Sequence, residues 1–353
     1  MVNALIPEDG SDGSRREDGS RRLVFYLAME EYLARHCTSD VFFLWQVPPT
    51  VIIGRNQLMA AEVNLPYCRS HGVQVYRRKS GGGCVYSDMG NIMVSYITSG
   101  DDVPFLFERY MRQLALCLVR MGLKAEVTGR NDILVEGRKV SGNAFYSLHG
   151  RNVMHGTLLF DSPADVIEKA ITPSASKLGS KGVKSVRQRV ANIRQLLAAS
   201  PVGQPYTDIE VFKKAVIGSF CDSDMILSEE DLAEIGKIEQ TYLDTDFLYG
   251  RDPSGCVSAD LAVPGAGTLR LSLSLRHGRI SGVEISGDFL QVADGLGEAL
   301  SAALKGIVLS GEDASGSVWN ADQVRKALDG FGAERFVPGL DDNMLREAIF
   351  SLL

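Results

Sequence analysis

The chain has no GxxxxGK[ST] loop, no GxGxxG fingerprint, no GxSxG elbow and no HExxH helix. These gaps argue against P-loop and Rossmann nucleotide binding, a hydrolase-type serine nucleophile and a zincin metal site. The six cysteines, at 37, 68, 84, 117, 221 and 256, make no CxxC pair, and no Cys/His group has zinc-ligand spacing. Free thiols in a reducing, cytoplasmic setting are expected. No apolar run approaches about 18 residues, so no membrane span and no membrane partner are expected. Positive charge is also short: 37 Lys and Arg against 44 Asp and Glu give a net charge of −7. A nucleic-acid partner normally needs a basic excess, so none is expected. A nucleotide-sized anion needs only a local basic cluster.

The 353 residues allow two domains. Residues 1–22, including SDGSRREDGSRR, are polar and glycine-rich without the apolar centre of a signal peptide. A disordered tail is expected there, with the fold starting near Leu23. Helical spacing over residues 22–36 and 103–121 predicts helices, the second closed by Gly122. Shorter helices are expected at 64–71, 164–171, 185–197, 207–221 and 228–242. Strands are expected in VFFLWQ, TVIIG, VQVYRR, NIMVSYIT, AEVT, DILVE, KVSGNAFYS and VMHGTLLF. Near residue 250 the texture changes. TLRLSLSLRHGRISGVEISG alternates about a turn, as a hairpin does, and helices are expected near 290–304, 318–328 and 341–352. The reading is therefore α+β with mixed sheets: a first domain over 23–250 and a small α+β unit over 251–353.

Four stretches carry chemistry. In Arg77-Arg78-Lys79-Ser80-Gly81-Gly82-Gly83-Cys84-Val85-Tyr86, three consecutive glycines follow a strand. Glycine there costs conformational entropy and buries no side chain, so backbone passes close to something or turns with positive φ. Free N–H groups of such a loop suit an anion, and the preceding cations add to that; a plain hairpin turn is the alternative. Next, Lys139, Ser141 and Asn143 share one face under strict alternation, Val140 the other, with small Gly142 between. The ammonium there suits a carboxylate beside a phosphate; a solvent-facing edge hairpin is the alternative. His155 lies on an apolar strand, where a satisfied core histidine is the common case. Ser180 to Val190 is strongly basic and is either a solvated helix start or a loop over phosphates.

Together, TVIIGRNQ, RRKSGGGCVYSDMGN, GRNDI, GRKVSGNA, HGTLLF, SKGVKSVRQRVANI and the opening FYLAMEE resemble lipoate–protein ligases, across about residues 23–250. The resemblance implies a catalytic domain like those of biotin ligases and class II aminoacyl-tRNA synthetases, with an accessory C-terminal domain. It implies activation of lipoic acid or octanoate by ATP with Mg2+ to an acyl-adenylate. A lysine then accepts the acyl group, on lipoyl domains of 2-oxoacid dehydrogenase acyltransferase subunits or on the glycine-cleavage H protein. By this resemblance Lys139 is the catalytic residue. Arg78, Gly83, Cys84, Val85, Tyr86, Asn131, Asp132 and Lys139 bind ATP, and Asp132 also takes the metal. Arg77, Gly81, Gly82, Lys139, Ser141, Gly142, Asn143, His155, Gly156 and Thr157 line the lipoate site. Ser87, Cys84 and Tyr26 depart from the family pattern, which has histidine, alanine and asparagine there. A carrier-to-carrier octanoyl or lipoyl transferase is the nearest rival. It needs an acyl-accepting cysteine shortly before Lys139, and none occurs from 118 to 220. A non-catalytic lipoyl-domain-binding protein is a further alternative.

Overall fold

The computed structural model describes residues 1–7, 21–57, 59–128, 131–171, 189–244, 247–248, 256–276, 279–307 and 321–352. They fall into two compact units. The first comprises Met1–Ile53, Met59–Lys79 and Cys84–Leu248; the second comprises Gly54–Leu58, Ser80–Gly83 and Tyr249–Leu353. Each is α+β. Two short pieces, the second containing the triple glycine, thus group with the C-terminal unit, which chain order alone does not suggest.

In the first unit the elements, in order, are β1 (Val2–Leu5), α1 (Leu23–His36), β2 (Val41–Trp45), β3 (Thr50–Ile53), α2 (Met59–Glu62), α3 (Leu65–Ser70), β4 (Gln74–Arg77), β5 (Val85–Ser87), β6 (Asn91–Ser99) and α4 (Val103–Arg120). There follow β7 (Ala125–Val127), β8 (Asp132–Val135), β9 (Arg138–Leu148), β10 (Arg151–Leu159), α5 (Ala164–Ala170), α6 (Ile193–Ala198), α7 (Ile209–Phe220), β11 (Ser223–Ile226) and α8 (Glu229–Tyr242). The main sheet runs β11-β1-β2-β6-β10-β9-β8-β7, and a small sheet runs β4-β3-β5. Strand β1 pairs in parallel with both neighbours, and the pairs from β2 to β7 are antiparallel.

All nine residues of β10 are buried, because helices cover both faces of the sheet. Helix α1 packs on β6 and β10 from one side, and α4 packs on β10 from the other. Phe25, Met29 and Leu33 of α1 are fully buried, each contributing about 1.5–3 kcal/mol of apolar burial. Helix α4 starts where the Asp102 carboxylate accepts the Phe105 N–H, with Pro104 preset in its first turn. Gly122, at φ 91°, ends it as expected.

Four expectations need correction. The disordered tail over residues 1–22 does not hold for residues 2–5. They form β1, with Asn3 donating to Asp224 at 2.9 Å, because the ends of β2 and β11 supply backbone partners far away in sequence. The helix expected near 290–304 begins only at Leu296, since Gly295 sits at φ 90°. Of 185–197, the residues before 189 lie outside the described residues, and the helix begins at Ile193. Strand β11 was not expected from the sequence.

In the second unit, β12 (Cys256–Val263), β13 (Gly267–Arg276) and β14 (Arg279–Phe289) form an antiparallel sheet, of which the sequence reading found only the last two strands. Helices α9 (Leu296–Leu304), α10 (Ala321–Ala327) and α11 (Asp342–Phe350) accompany it. Leu269, Leu271, Leu273, Leu300 and Ile349 belong to its apolar core.

Candidate active site

Strands β8 and β9 join through Glu136 and Gly137, at φ 52° and 72°. Two positive φ angles in a two-residue turn suit the twist of the flanking strands, and glycine removes the strain at the second. The register then slips. Leu134 faces Lys139 and Ile133 faces Ser141, so Val140 has no cross-strand partner. That bulge inverts the expected alternation. Lys139 does not share a face with Ser141 and Asn143. Its ammonium lies over Gly142, which has no Cβ to displace it.

Lys139 Nζ stands 2.6 Å from Asp132 Oδ1. Asp132 is paired with Gly142 and so lies on the same face. Arg189 reaches the other carboxylate oxygen at 3.5 Å. The backbone beside Arg189 follows β9: Val190 bridges Lys139 in parallel and the Ala191 N–H donates to the Lys139 carbonyl at 2.9 Å. Thr157, on β10, accepts the Gly142 N–H at 3.2 Å. Lys139, Asp132, Gly142 and Thr157 therefore gather on the α1 side of the sheet, where His155 also points.

His155 Nδ1 lies 3.0 Å from both carboxylate oxygens of Glu30, on α1. Glu30 is fully buried. A carboxylate taken out of water needs several strong partners. Ser95 donates to it at 2.6 Å, Trp45 donates to Ser95 at 2.8 Å, and Tyr146 lies at 3.5 Å. Tyr26 stacks on Trp45 with ring centroids 4.7 Å apart.

The next residue, Glu31, is also buried and pairs with Lys79 and Arg35. Tyr242 donates to Glu31 at 3.2 Å, and the Lys79 ammonium lies 4.7 Å over its ring. Burial pushes the Glu31 carboxyl upward; the two cations more than offset this and leave it below its ordinary 4.5. Burial, helped by Glu31 and Glu30, raises the Tyr242 hydroxyl well above its usual range. Lys79 thus serves α1, not the general positive charge that the sequence suggested.

The opposite face holds Ser141 and Asn143, both buried. Asn143 donates to Ser141 at 3.0 Å and accepts from Tyr110 of α4 at 3.0 Å. Asn131 donates to the Asn143 carbonyl at 2.7 Å, and Asn131 O accepts the Asn143 N–H at 2.9 Å. Gly156 faces Asn143 across the pair, and a Cβ there would lie 2.8 Å from Asn143 Cγ. Ser141, Asn143, Asn131, Gly156 and Tyr110 together stiffen the support of the site from behind.

Around the triple glycine, Arg78 is buried, its N–H donating to Ile53 O at 3.0 Å and Nη1 to Ile52 O at 3.2 Å. Arg77 donates to Leu248 O at 3.0 Å, and burial lowers its pKa. Cys84 and Val85 are half-buried; Tyr86 is buried, which raises its hydroxyl pKa, with Asp88 adding to the rise. Within the second unit, the Gly82 N–H donates to Phe289 O at 2.8 Å. A Cβ on Gly81 would overlap that carbonyl, and one on Gly83 would lie 2.9 Å from an Asp288 carboxylate oxygen. Close backbone passage accounts for glycine here, and the Gly82 amide is already engaged in this conformation. Of the basic stretch 180–190, only Arg189 and Val190 lie within the described residues.

The sequence reading gave no role to Glu30 or Glu31, and it held Arg189 only as part of the basic stretch 180–190, without a partner. Two adjacent acids in the apolar run FYLAMEEYLA were a usable signal, since charges on a buried helix imply partners. Among the described residues no group of three or more His, Cys, Asp or Glu side chains gathers to hold a metal.

A sequence profile of the lipoyl protein ligase A/B catalytic domain matches residues 23–221. The chain is 37% identical over 275 residues to "Lipoate-protein ligase LplJ" of Bacillus subtilis, covering 76% of this chain and 82% of that protein. It is 36% identical over 276 residues to "Lipoate--protein ligase 1" of Staphylococcus aureus, with the same coverages. Among solved structures, P. falciparum LipL1 in complex with lipoate superposes with TM-score 0.65 at 21% identity, over 93% of each chain. Lipoate-protein ligase A bound with ATP superposes with TM-score 0.56 at 22% identity, over 71% of this chain and 99% of that one. At those identities the structural likeness speaks for the fold.

Proposed function

This chain belongs to the lipoate–protein ligase family, and from that premise we propose that it activates lipoate with ATP and passes the lipoyl group to a lysine of a partner protein. A carboxylate is a poor electrophile at neutral pH, and adenylation converts it to a mixed anhydride. The chain's part is then positioning and charge neutralisation more than nucleophilic attack. Lys139 steers the lipoate carboxylate onto the α-phosphorus and stabilises the charge that builds as pyrophosphate leaves. The resulting lipoyl-AMP is attacked at its carbonyl carbon by the acceptor amine, which loses a proton and expels AMP. Asp132 holds Lys139 in place between turnovers. His155, fixed by Glu30, forms part of the acyl site's polar floor.

The observation that carries this reading is the Lys139 ammonium held at 2.6 Å by Asp132 over Gly142, on a chain whose relatives are named as ligases of lipoate. A compact ammonium can trade one carboxylate for another and meet a phosphate oxygen at once. Magnesium fits only as an ion carried by the nucleotide. Both Asp132 oxygens already face cations, so Asp132 would add one protein ligand to an ion held mainly by phosphates. Arg78, Gly83, Cys84, Val85, Tyr86 and Asn131 are assigned to the nucleotide. Arg77, Gly81, Gly82, Ser141, Gly142, Asn143, Gly156 and Thr157 are assigned to the lipoate site, with Ser141, Asn143 and Gly156 acting from behind the sheet. We take residues 23–250 as catalytic and 251–353 as accessory. Acceptors are lipoyl domains of 2-oxoacid dehydrogenases or the glycine-cleavage H protein, in the cytoplasm; no helix among the described residues is long and apolar enough to cross a membrane.

Mass spectrometry of a lipoyl domain after incubation with this protein, ATP, Mg2+ and either lipoate or octanoate tests the reading. A mass gain of one acyl group with loss of water, dependent on ATP, is expected. An unchanged domain with both acids refutes it.

A further inference from the structure

Among the described residues two cations face the Asp132 carboxylate, and they are not equivalent. Lys139 Nζ approaches Asp132 Oδ1 to 2.6 Å, while Arg189 Nη2 stands 3.5 Å from Oδ2. Asp132 is buried. Arg189 sits on backbone tied to that of Lys139 itself, through the Ala191 N–H to Lys139 O hydrogen bond and the Val190–Lys139 bridge. The backbone that carries Arg189 therefore stays within reach of Asp132 whether or not the Lys139 ammonium does. Lys139 has a flexible four-carbon stem, and missing side-chain volume at Gly142 beneath its head. It is the partner that can leave.

If Lys139 turns to an incoming carboxylate, Asp132 loses its nearest cation in a low-dielectric place. Uncompensated, that loss would oppose ligand binding strongly. We propose that Arg189 is a positioning residue that takes over the Asp132 charge, closing from its present 3.5 Å, so that Lys139 is released to the acyl carboxylate. Arginine suits this handover, because its planar fork matches a carboxylate and does not deprotonate. Arg189 acts through Asp132 and not by touching the acid. The inference rests on the reading of Lys139 as the acid's anchor.

The test is the lipoate dissociation constant, measured by calorimetry on the full-length chain without nucleotide, which keeps magnesium out of the experiment. Five variants are compared with the parent: Lys139→Ala, Arg189→Ala, Arg189→Lys, Asp132→Asn and the Arg189→Ala/Asp132→Asn pair. Lys139→Ala should lose binding. Arg189→Ala should weaken it on the order of ten-fold, the scale of one charge-assisted contact. In the Asp132→Asn background the same substitution should cost less than about two-fold, because no charge is left to hand over. Arg189→Lys should bind more tightly than Arg189→Ala and less tightly than the parent, because it keeps the charge and loses the planar fork. An equal cost of Arg189→Ala in both backgrounds, or no cost in either, would overturn the proposal while Lys139→Ala still upholds the anchor. Parent-like binding by Lys139→Ala would instead remove the anchor reading, and this inference with it.

Discussion

Gly142→Ala separates the site from the fold. A methyl carbon at Gly142 would stand 2.7 Å from Lys139 Cε and closer still to Nζ, where ordinary contact begins at 3.4 Å. Both atoms are at the far end of a flexible side chain, so the clash is relieved by moving the ammonium, not the strand. Gly142 also needs no left-handed conformation, and replacing such a glycine reduces the entropy of the unfolded chain by an amount worth about 0.4–1 kcal/mol. Stability should therefore stay within about 1 kcal/mol of the parent. The reaction should not. The ammonium must retreat by about 1 Å, and a misplacement of that size at a reacting centre costs on the order of a hundred-fold in rate. Lipoate-dependent exchange of labelled pyrophosphate into ATP reads the activation step directly, and chemical denaturation reads the fold. Parent-like exchange by a well-folded Gly142→Ala variant would refute the placement of the working ammonium over Gly142. A loss of several kcal/mol in stability would refute the claim that the side chain yields.

Gly156→Ala makes the contrast, since its Cβ would lie 2.8 Å from Asn143 Cγ and 3.2 Å from the Gly142 carbonyl, in a network also held by Tyr110. It should destabilise by about 1–3 kcal/mol, the usual cost of overpacking, seen as a lower denaturation midpoint. Glu30→Ala strips the partner from His155 and Ser95 and should cost about 3–5 kcal/mol; an unchanged midpoint would mean that the buried pair is not coupled to folding. The folded-state pKa of Glu31 lies below its ordinary 4.5. Its contribution is then complete above that value and lost as pH falls through the folded pKa. The stability of Glu31→Gln should accordingly fall less steeply than the parent's below about pH 4.5, in urea titrations across that range.

The longest local patterns were legible before any fold was known. Helix α4 follows from its apolar spacing with an Asp-Val-Pro start and a glycine stop, and the β13–β14 pair follows from two-residue alternation. The motif set likewise pointed to Lys139 and the triple glycine. What stayed hidden was non-local. Strand β1 needs β11, some 221 residues away. Glu30 and Glu31 find His155 and Lys79 at separations of 125 and 48 residues, so their partners could not be read from the helix alone.

By itself the sequence settled the α+β class, the family and the types of side chain available for chemistry, since those depend on composition, periodicity and motif order. Only the tertiary structure decided which way Lys139 faces. One unpaired residue at Val140 turns it away from Ser141 and Asn143 and onto Asp132. A bulge is a property of the pairing between two strands, and no single strand's alternation encodes it.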